Sequence, residues 1–182
     1  THTKLALFQQ KTLLKKILFN NDNQLRELES QADTVILSSV GDANDVLKVL
    51  KEEPLLLNTE TSLPIANLYE SPETLGNDRI AVVVGAATQF SKSNVLVIDA
   101  GTCITLDLLT VEGYQGGSIA PGIQMRLNAL HHQTEKLPLV KLDGETDIIG
   151  KNTISAMESG IFWGYVSMIE GLIEKIKSIN KF

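Results

Sequence analysis

A single cysteine in 182 residues leaves Cys103 without a partner for an internal disulfide. No second cysteine or histidine stands from it at metal-ligand spacing, so neither a disulfide framework nor a thiolate metal site is expected, and a reducing, cytoplasmic setting fits. No uninterrupted apolar run approaches the ~20 residues that a bilayer span needs, and no signal-peptide pattern is visible; membrane insertion is not expected. Basic residues are the scarcer charge, 16 against 22 acidic ones for a net charge of −6, and they form no run, which argues against a polyanion-binding surface and against nucleic acid as a partner. Low-complexity tracts and coiled-coil heptads are missing too. What is present is a 43% hydrophobic, 21% charged composition that can bury a core.

The most informative stretch is 94–109, Asn-Val-Leu-Val-Ile-Asp99-Ala-Gly101-Thr102-Cys-Ile-Thr-Leu-Asp-Leu-Leu. Its first part is β-branched and apolar enough for a buried strand, and 104–108 alternates as a half-buried return strand does. Gly101 is expected to supply a positive φ between them. Asp99 and Thr102 then sit at a strand end beside backbone N–H groups suited to phosphate or a hydrated cation. The same Asp-Gly pair also reads as a plain hairpin. The opening Thr1-His-Thr-Lys4-Leu-Ala-Leu-Phe8 lies over Thr102-Cys-Ile-Thr105-Leu-Asp-Leu-Leu109 without a gap. An internal duplication is expected from this, with residue 1 just inside a first copy of the turn and the strand before it missing from these residues. Lys4 would then stand beside a first phosphate loop rather than on a merely solvated strand face.

Strand and helix alternate along the chain, which favours an α/β class. The pattern predicts strands at 3–8 and 12–19, a helix over 22–32, a buried strand at 34–40, a helix from about 42 to 51 and a short strand at 55–57. Proline and turn residues from 58 to 72 read as a crossing between lobes at 1–62 and 63–182. An apolar helix is predicted over 80–90, a glycine-dense turn over 113–122 leading into a helix at 123–133, a loop over 137–150, and a long helix from 154 to about 179 capped by Asn152-Thr153.

Asp78 and Arg79 open the 80–90 helix, where a capping role alone would explain the carboxylate but not the guanidinium. Together they suit an acidic substrate bearing an alcohol: a carboxylate near a hydroxyl acts as general base, and a guanidinium holds a carboxylate or phosphate bidentately. Tyr69 either lines the same pocket or covers the lobe junction. Gly116-Gly117-Ser118 and Pro121-Gly122 read as hairpin chemistry or as a nest of N–H groups aimed at phosphate. Arg126 either reaches a ligand or lies on a solvated helix face. His131 and His132 point about 100° apart on a helix, which argues against a metal pair.

Four blocks in order carry a resemblance: Tyr69-x-x-Pro72-x-x-x-Gly76-x-Asp78-Arg79, then Asp99-x-Gly101-Thr102, then Gly116-Gly117-x-Ile119-x-Pro121-Gly122, then Gly150-Lys-Asn152-Thr153 with Gly160. With them the chain resembles a type III pantothenate kinase, of the sugar kinase, chaperone ATPase and actin superfamily. The resemblance implies a two-lobed, duplicated ribonuclease H-like (actin-like ATPase) fold of mixed sheets flanked by helices. It implies transfer of the γ-phosphoryl group of ATP to the primary hydroxyl of pantothenate, giving 4′-phosphopantothenate, the first committed step toward coenzyme A. Asp78 would be the general base and Arg79 the holder of the pantothenate carboxylate, with Tyr69, Gly76, Asn77 and Thr153 around the same substrate. Lys4, Gly101 and Thr102 would contact ATP phosphates. Asp99 would coordinate a monovalent cation, K⁺ or NH4⁺, and Mg²⁺ would accompany ATP. A homodimer is implied, with the apolar 80–90 and 154–173 helices as interface material.

The family's first aspartate, in its opening D-x-G-N-T-x-x-K, and its late T-G-G type adenosine segment do not occur in these residues. Weak ATP binding by the residues as they stand is therefore expected. Two other classes remain open: a non-catalytic relative that keeps the pantothenate pocket as a binding or regulatory protein, and another small-molecule kinase of the same superfamily. Asp78, Arg79 and Asp99 argue against the first, and the Gly76-x-Asp78-Arg79 block against the second.

Overall fold

A computed structural model of the chain describes residues 3–39, 43–144 and 146–180. They form a mixed α/β structure that divides into two units, one of 1–64 with 69–84 and one of 65–68 with 85–182.

The first unit opens on an antiparallel hairpin, β1 (Lys4–Gln9) with β2 (Thr12–Leu18), closed by a two-residue turn in which Gln10 takes φ 54°. Helix α1 (Asp22–Glu29) follows, with the Asn21 side chain accepting from the Gln24 N–H at 3.1 Å, and it buries Leu25 and Leu28 at helical spacing. The expected buried strand at 34–40 is only β3 (Ile36–Leu37), whose Ile36 is 68% exposed. Among the described residues it pairs solely with the equally short parallel β4 (Leu55–Leu56), so nothing extends the ladder that would bury it. The helix expected over 42–51 is α2 (Asn44–Leu47), followed by single turns that end as Leu50 N–H reaches Val46; the proposed start at Gly41 and Asp42 lies outside the described residues.

A 3-10 turn (Pro72–Thr74) precedes α3 (Asn77–Gln89). An almost wholly apolar helix is expected to be buried on several sides, but α3 buries one face through Arg79, Ile80 and Val83 and leaves Ala81, Gly85 and Gln89 exposed.

In the second unit β5 (Val95–Ala100), β6 (Cys103–Thr110) and β7 (Gly113–Pro121) form an antiparallel sheet in that order. The stretch 113–122 is thus a strand and not a turn, and its glycines have packing reasons. A Cβ on Gly117 would overlap the Leu106 carbonyl, and Gly113 and Gly116 take φ of 138° and 99°. Alternate backbone groups of the stretch that the nest reading aimed at phosphate turn toward the ladder with β6. Helices α4 (Ile123–His132) and α5 (Thr153–Asn180) cover one face, where Ile104 and Leu106 meet Tyr165 and where Leu127, Val140 and Met157 form a second cluster. A basic cluster of Lys175, Lys177 and Lys181 suits the C-terminal end of a helix dipole; Lys175 and Lys177 lie in the last turns of α5, and Lys181 lies outside the described residues.

The two hairpins keep one spacing. Thr12 opens β2 and Gly113 opens β7, 101 positions later. Asp22 and Ile123, which open α1 and α4, differ by the same 101. The register slips between Leu7 and Phe8 in one pair and between Leu108 and Leu109 in the other, again 101 apart.

Candidate active site

Asn77, Asp78 and Arg79 occupy the first turn of α3, where free N–H groups favour a carboxylate. Asp78 is exposed, and its Oδ1 accepts the Arg79 N–H at 2.8 Å, which fixes the carboxylate rotamer. Arg79 is 8% exposed, and its guanidinium carbon lies 5.6 Å from the centre of the Tyr69 ring, a cation–π distance. Gly76 closes the turn by accepting the Arg79 and Ile80 N–H groups at 3.1 and 3.3 Å. Asn77 donates through Nδ2 to the Ser39 carbonyl at 3.2 Å, tying the start of α3 to the end of the β3 segment. Beside these residues an open cleft of about 580 Å³ is lined by Ser39, Asn58, Thr59, Glu73, Gly76 and Asn77. Within the first unit, then, the structure brings Tyr69, Gly76, Asn77, Asp78 and Arg79 together. Lys4, at the start of β1, is exposed and pairs with Leu18.

In the second unit Asp99 is the penultimate residue of β5, opposite Thr105, with its side chain exposed. Gly101 and Thr102 form the exposed connection to β6, where Gly101 N–H donates to the Cys103 carbonyl at 2.8 Å and Thr102 O accepts the Gly122 N–H at 3.0 Å. Gly101 does not take the positive φ expected of it, and a Cβ there would meet only the Cys103 carbonyl at 3.8 Å. Nothing among the described residues requires glycine at 101. Gly122 is the crowded one: a Cβ would overlap the Gly101 carbonyl and stand 2.6 Å from that of Thr102. Thr153 is exposed at the first position of α5, whose start is held by a reciprocal cap in which Asn152 Oδ1 accepts the Ser155 N–H at 2.9 Å and Ser155 Oγ accepts the Lys151 and Asn152 N–H groups at 2.9 and 3.1 Å. Gly150 is compelled by close approach to Ala156.

The family profile for type III pantothenate kinase matches residues 1–175. This chain belongs to that family. Type III pantothenate kinases of Bacteroides fragilis and Christiangramia forsetii are 42% and 41% identical to it over 97% and 98% of the chain, covering 76% and 77% of their own lengths. The Cytophaga hutchinsonii type III pantothenate kinase is 49% identical over 69% of the chain and 53% of its own length. A solved structure from Campylobacter jejuni, described as of a conserved Baf family transcriptional activator, matches with a TM-score of 0.54 at 23% identity over 88% of this chain and 73% of that one; the likeness is one of fold.

One buried polar group of this pantothenate kinase family member escaped the sequence reading. Asp107, fully buried in the middle of β6, accepts a hydrogen bond from Tyr114 Oη at 2.7 Å. An aspartate among Ile104, Leu106, Leu108 and Leu109, seven residues before a tyrosine across a hairpin, was the available signal. The His131–His132 pair serves the fold, since His131 Nδ1 is 2.7 Å from the Leu137 carbonyl and ties down the turn after α4. Among the described residues no group of three or more His, Cys, Asp and Glu side chains could cage a metal ion, and no helix is long and apolar enough to cross a membrane.

Proposed function

We propose that Asp78 is the general base of an ATP-dependent pantothenate kinase. Pantothenate phosphorylation, the opening step of coenzyme A synthesis, is the activity that family membership supports. The observation that carries the residue assignment is the pairing at the start of α3 of an exposed, rotamer-fixed carboxylate with a buried guanidinium. Asp78 accepts the proton of the substrate's primary hydroxyl as its oxygen attacks the γ-phosphorus, and ADP leaves with the electron pair of the broken P–O bond. Arg79, stiffened by the Tyr69 ring, holds the pantothenate carboxylate. Gly76, Asn77 and Thr153 also belong to pantothenate. Lys4, Gly101 and Thr102 belong to the phosphates, where positioning and charge neutralisation supply most of the rate enhancement.

An exposed carboxylate at a strand end, next to a bare backbone turn, offers the oxygen donors a monovalent cation takes, so Asp99 fits K⁺ or NH4⁺; such an ion supplies charge neutralisation there. Mg²⁺ would arrive with the ATP phosphates, in keeping with its preference for few protein ligands. The shared 101-residue spacing, down to the register slip, supports a duplicated, actin-like architecture. The protein works in the cytoplasm as a homodimer.

The test is ADP formation by the intact protein with and without pantothenate, and in Asp78→Asn. The substitution keeps size and hydrogen bonding but removes the base, so turnover should drop by roughly 10²–10⁴-fold with the melting temperature preserved. Substantial turnover in that variant would remove Asp78 from the role. No pantothenate-dependent ADP from the wild type would favour the non-catalytic relative.

A further inference from the structure

We infer that Arg126 is a positioning residue for the Gly101–Thr102 turn, acting through Pro121 and Gly122. The inference rests on the reading of that turn as a phosphate contact.

Arg126 lies one turn into α4, where its side chain could have extended into water. Instead it folds back over the helix start. Its Nε donates to the Pro121 carbonyl at 2.8 Å, an Nη donates to Met168 Sδ at 3.0 Å, and its guanidinium carbon lies 5.6 Å from the centre of the Tyr165 ring. Three contacts from the end of β7 and from α5 thus immobilise a side chain whose ordering costs considerable entropy. A thioether is a weak acceptor, so core stability is a poor explanation for a guanidinium here.

What the clamp fixes is the corner that covers the turn. Pro121 pairs with Cys103, Gly122 N–H donates to the Thr102 carbonyl, and Gly122 approaches the Gly101 and Thr102 carbonyls so closely that no side chain fits. A shift of Pro121 therefore moves the two carbonyls beneath it, and with them the N–H groups and the Thr102 hydroxyl. The guanidinium also brings positive charge to this end of the sheet: Arg126 and Asp99 both act on the Tyr165 hydroxyl, with opposite signs.

In the intact protein, Arg126→Gln, Arg126→Lys and Thr102→Val are compared for kcat, KM for ATP, KM for pantothenate, melting temperature and amide exchange at Gly122. Arg126→Gln should raise KM for ATP on the order of tenfold, leave KM for pantothenate unchanged and speed exchange at Gly122. Arg126→Lys should recover part of the loss, since an ammonium can reach Pro121 but cannot also lie flat on Tyr165. Unchanged KM for ATP with Gly122 still protected, in either Arg126 variant, would overturn the inference. So would equal rises in both KM values that merely follow the fall in melting temperature. Thr102→Val separates the two levels: a raised KM for ATP there with none in Arg126→Gln sinks the positioning role alone, whereas no effect of Thr102→Val removes the phosphate turn itself and the inference with it.

Discussion

Two glycines 21 positions apart in sequence meet at the phosphate turn, and alanine at each should do opposite things. At Gly122 a methyl group would overlap the Gly101 carbonyl and stand 2.6 Å from the Thr102 carbonyl, both backbone atoms that cannot swing aside. Over-packing of this kind costs about 1–3 kcal/mol, offset by less than about 1 kcal/mol from the stiffer unfolded chain. With about 2–4 °C per kcal/mol for a chain of this size, Gly122→Ala should melt several degrees low. At Gly101 the methyl would meet one carbonyl at 3.8 Å, and the backbone is in a region open to any residue. Gly101→Ala should therefore stay within about 0.5 kcal/mol of the wild type, yet weaken ATP, because a Cβ on an exposed turn occupies the space a phosphate needs to approach the backbone there. Calorimetric melting and KM for ATP in the intact protein read the two effects separately. Gly101→Ala melting as low as Gly122→Ala, or keeping the wild-type KM for ATP, would refute the reasoning.

Arg79→Ala should raise KM for pantothenate by about tenfold or more while leaving KM for ATP alone, because a desolvated carboxylate loses its charged partner; initial-rate kinetics with each substrate varied check it. Burial pushes the Tyr165 hydroxyl above its ordinary value of 10.0, an effect that Arg126 partly reverses and Asp99 reinforces. The native state thus holds that proton more tightly than the unfolded chain, so above about pH 10 the unfolded state has bound fewer protons and stability falls as pH rises. Tyr165→Phe should flatten that part of the curve, measured by denaturant unfolding from pH 8 to 11; an unchanged slope would show that the phenol does not contribute.

Much of the architecture is legible because period and punctuation agree. The β1–β2 hairpin, the β5–β6 pair, α4 and the capped α5 stand where spacing, turn and capping residues put them, but the burial of the pair is reversed: β5, expected to be buried, is half-buried at Val95–Val97 and exposed from Ile98, while β6, expected to be half-buried, is buried on both faces from Ile104 to Leu109. Where pattern and structure part, tertiary neighbours decide. The glycines of 113–122 look like a turn because glycine marks turns, but what compels Gly117 is the Leu106 carbonyl on the next strand, which no local pattern reveals. The Asp-x-Gly pattern suggests a backbone conformation that Gly101 does not adopt, while its real peculiarity, the absence of any internal need for glycine, is visible only in coordinates. The 34–40 segment has the β-branched composition of a core strand, but burial needs a partner on each side and among the described residues β3 has one two-residue neighbour. The candidate residues Tyr69 to Arg79 are readable as a block since the turn and helix start that gather them are local. Arg126 is not, because its partner Met168 comes from 42 residues away.

The proposed duplication makes one further step possible, since the shared spacing aligns positions that have since diverged. Gly122 precedes α4 as Asn21 precedes α1, and Gly116-Gly117 fall on Lys15-Lys16. In the first hairpin a side chain is tolerated at each place: Asn21 turns its own to accept the Gln24 N–H, and Lys15 reaches Glu27 at 3.1 Å across open surface. In the second hairpin the same places are glycine: the Leu106 carbonyl and the carbonyls of the 101–102 turn leave no room for a Cβ at Gly117 and Gly122, and Gly116 takes a φ of 99°. A repeat that merely carried strands and a helix would have no reason to strip one copy and leave the other furnished. At Gly122 it is the Gly101–Thr102 turn that leaves no room for a side chain, a close approach that has no counterpart at Asn21.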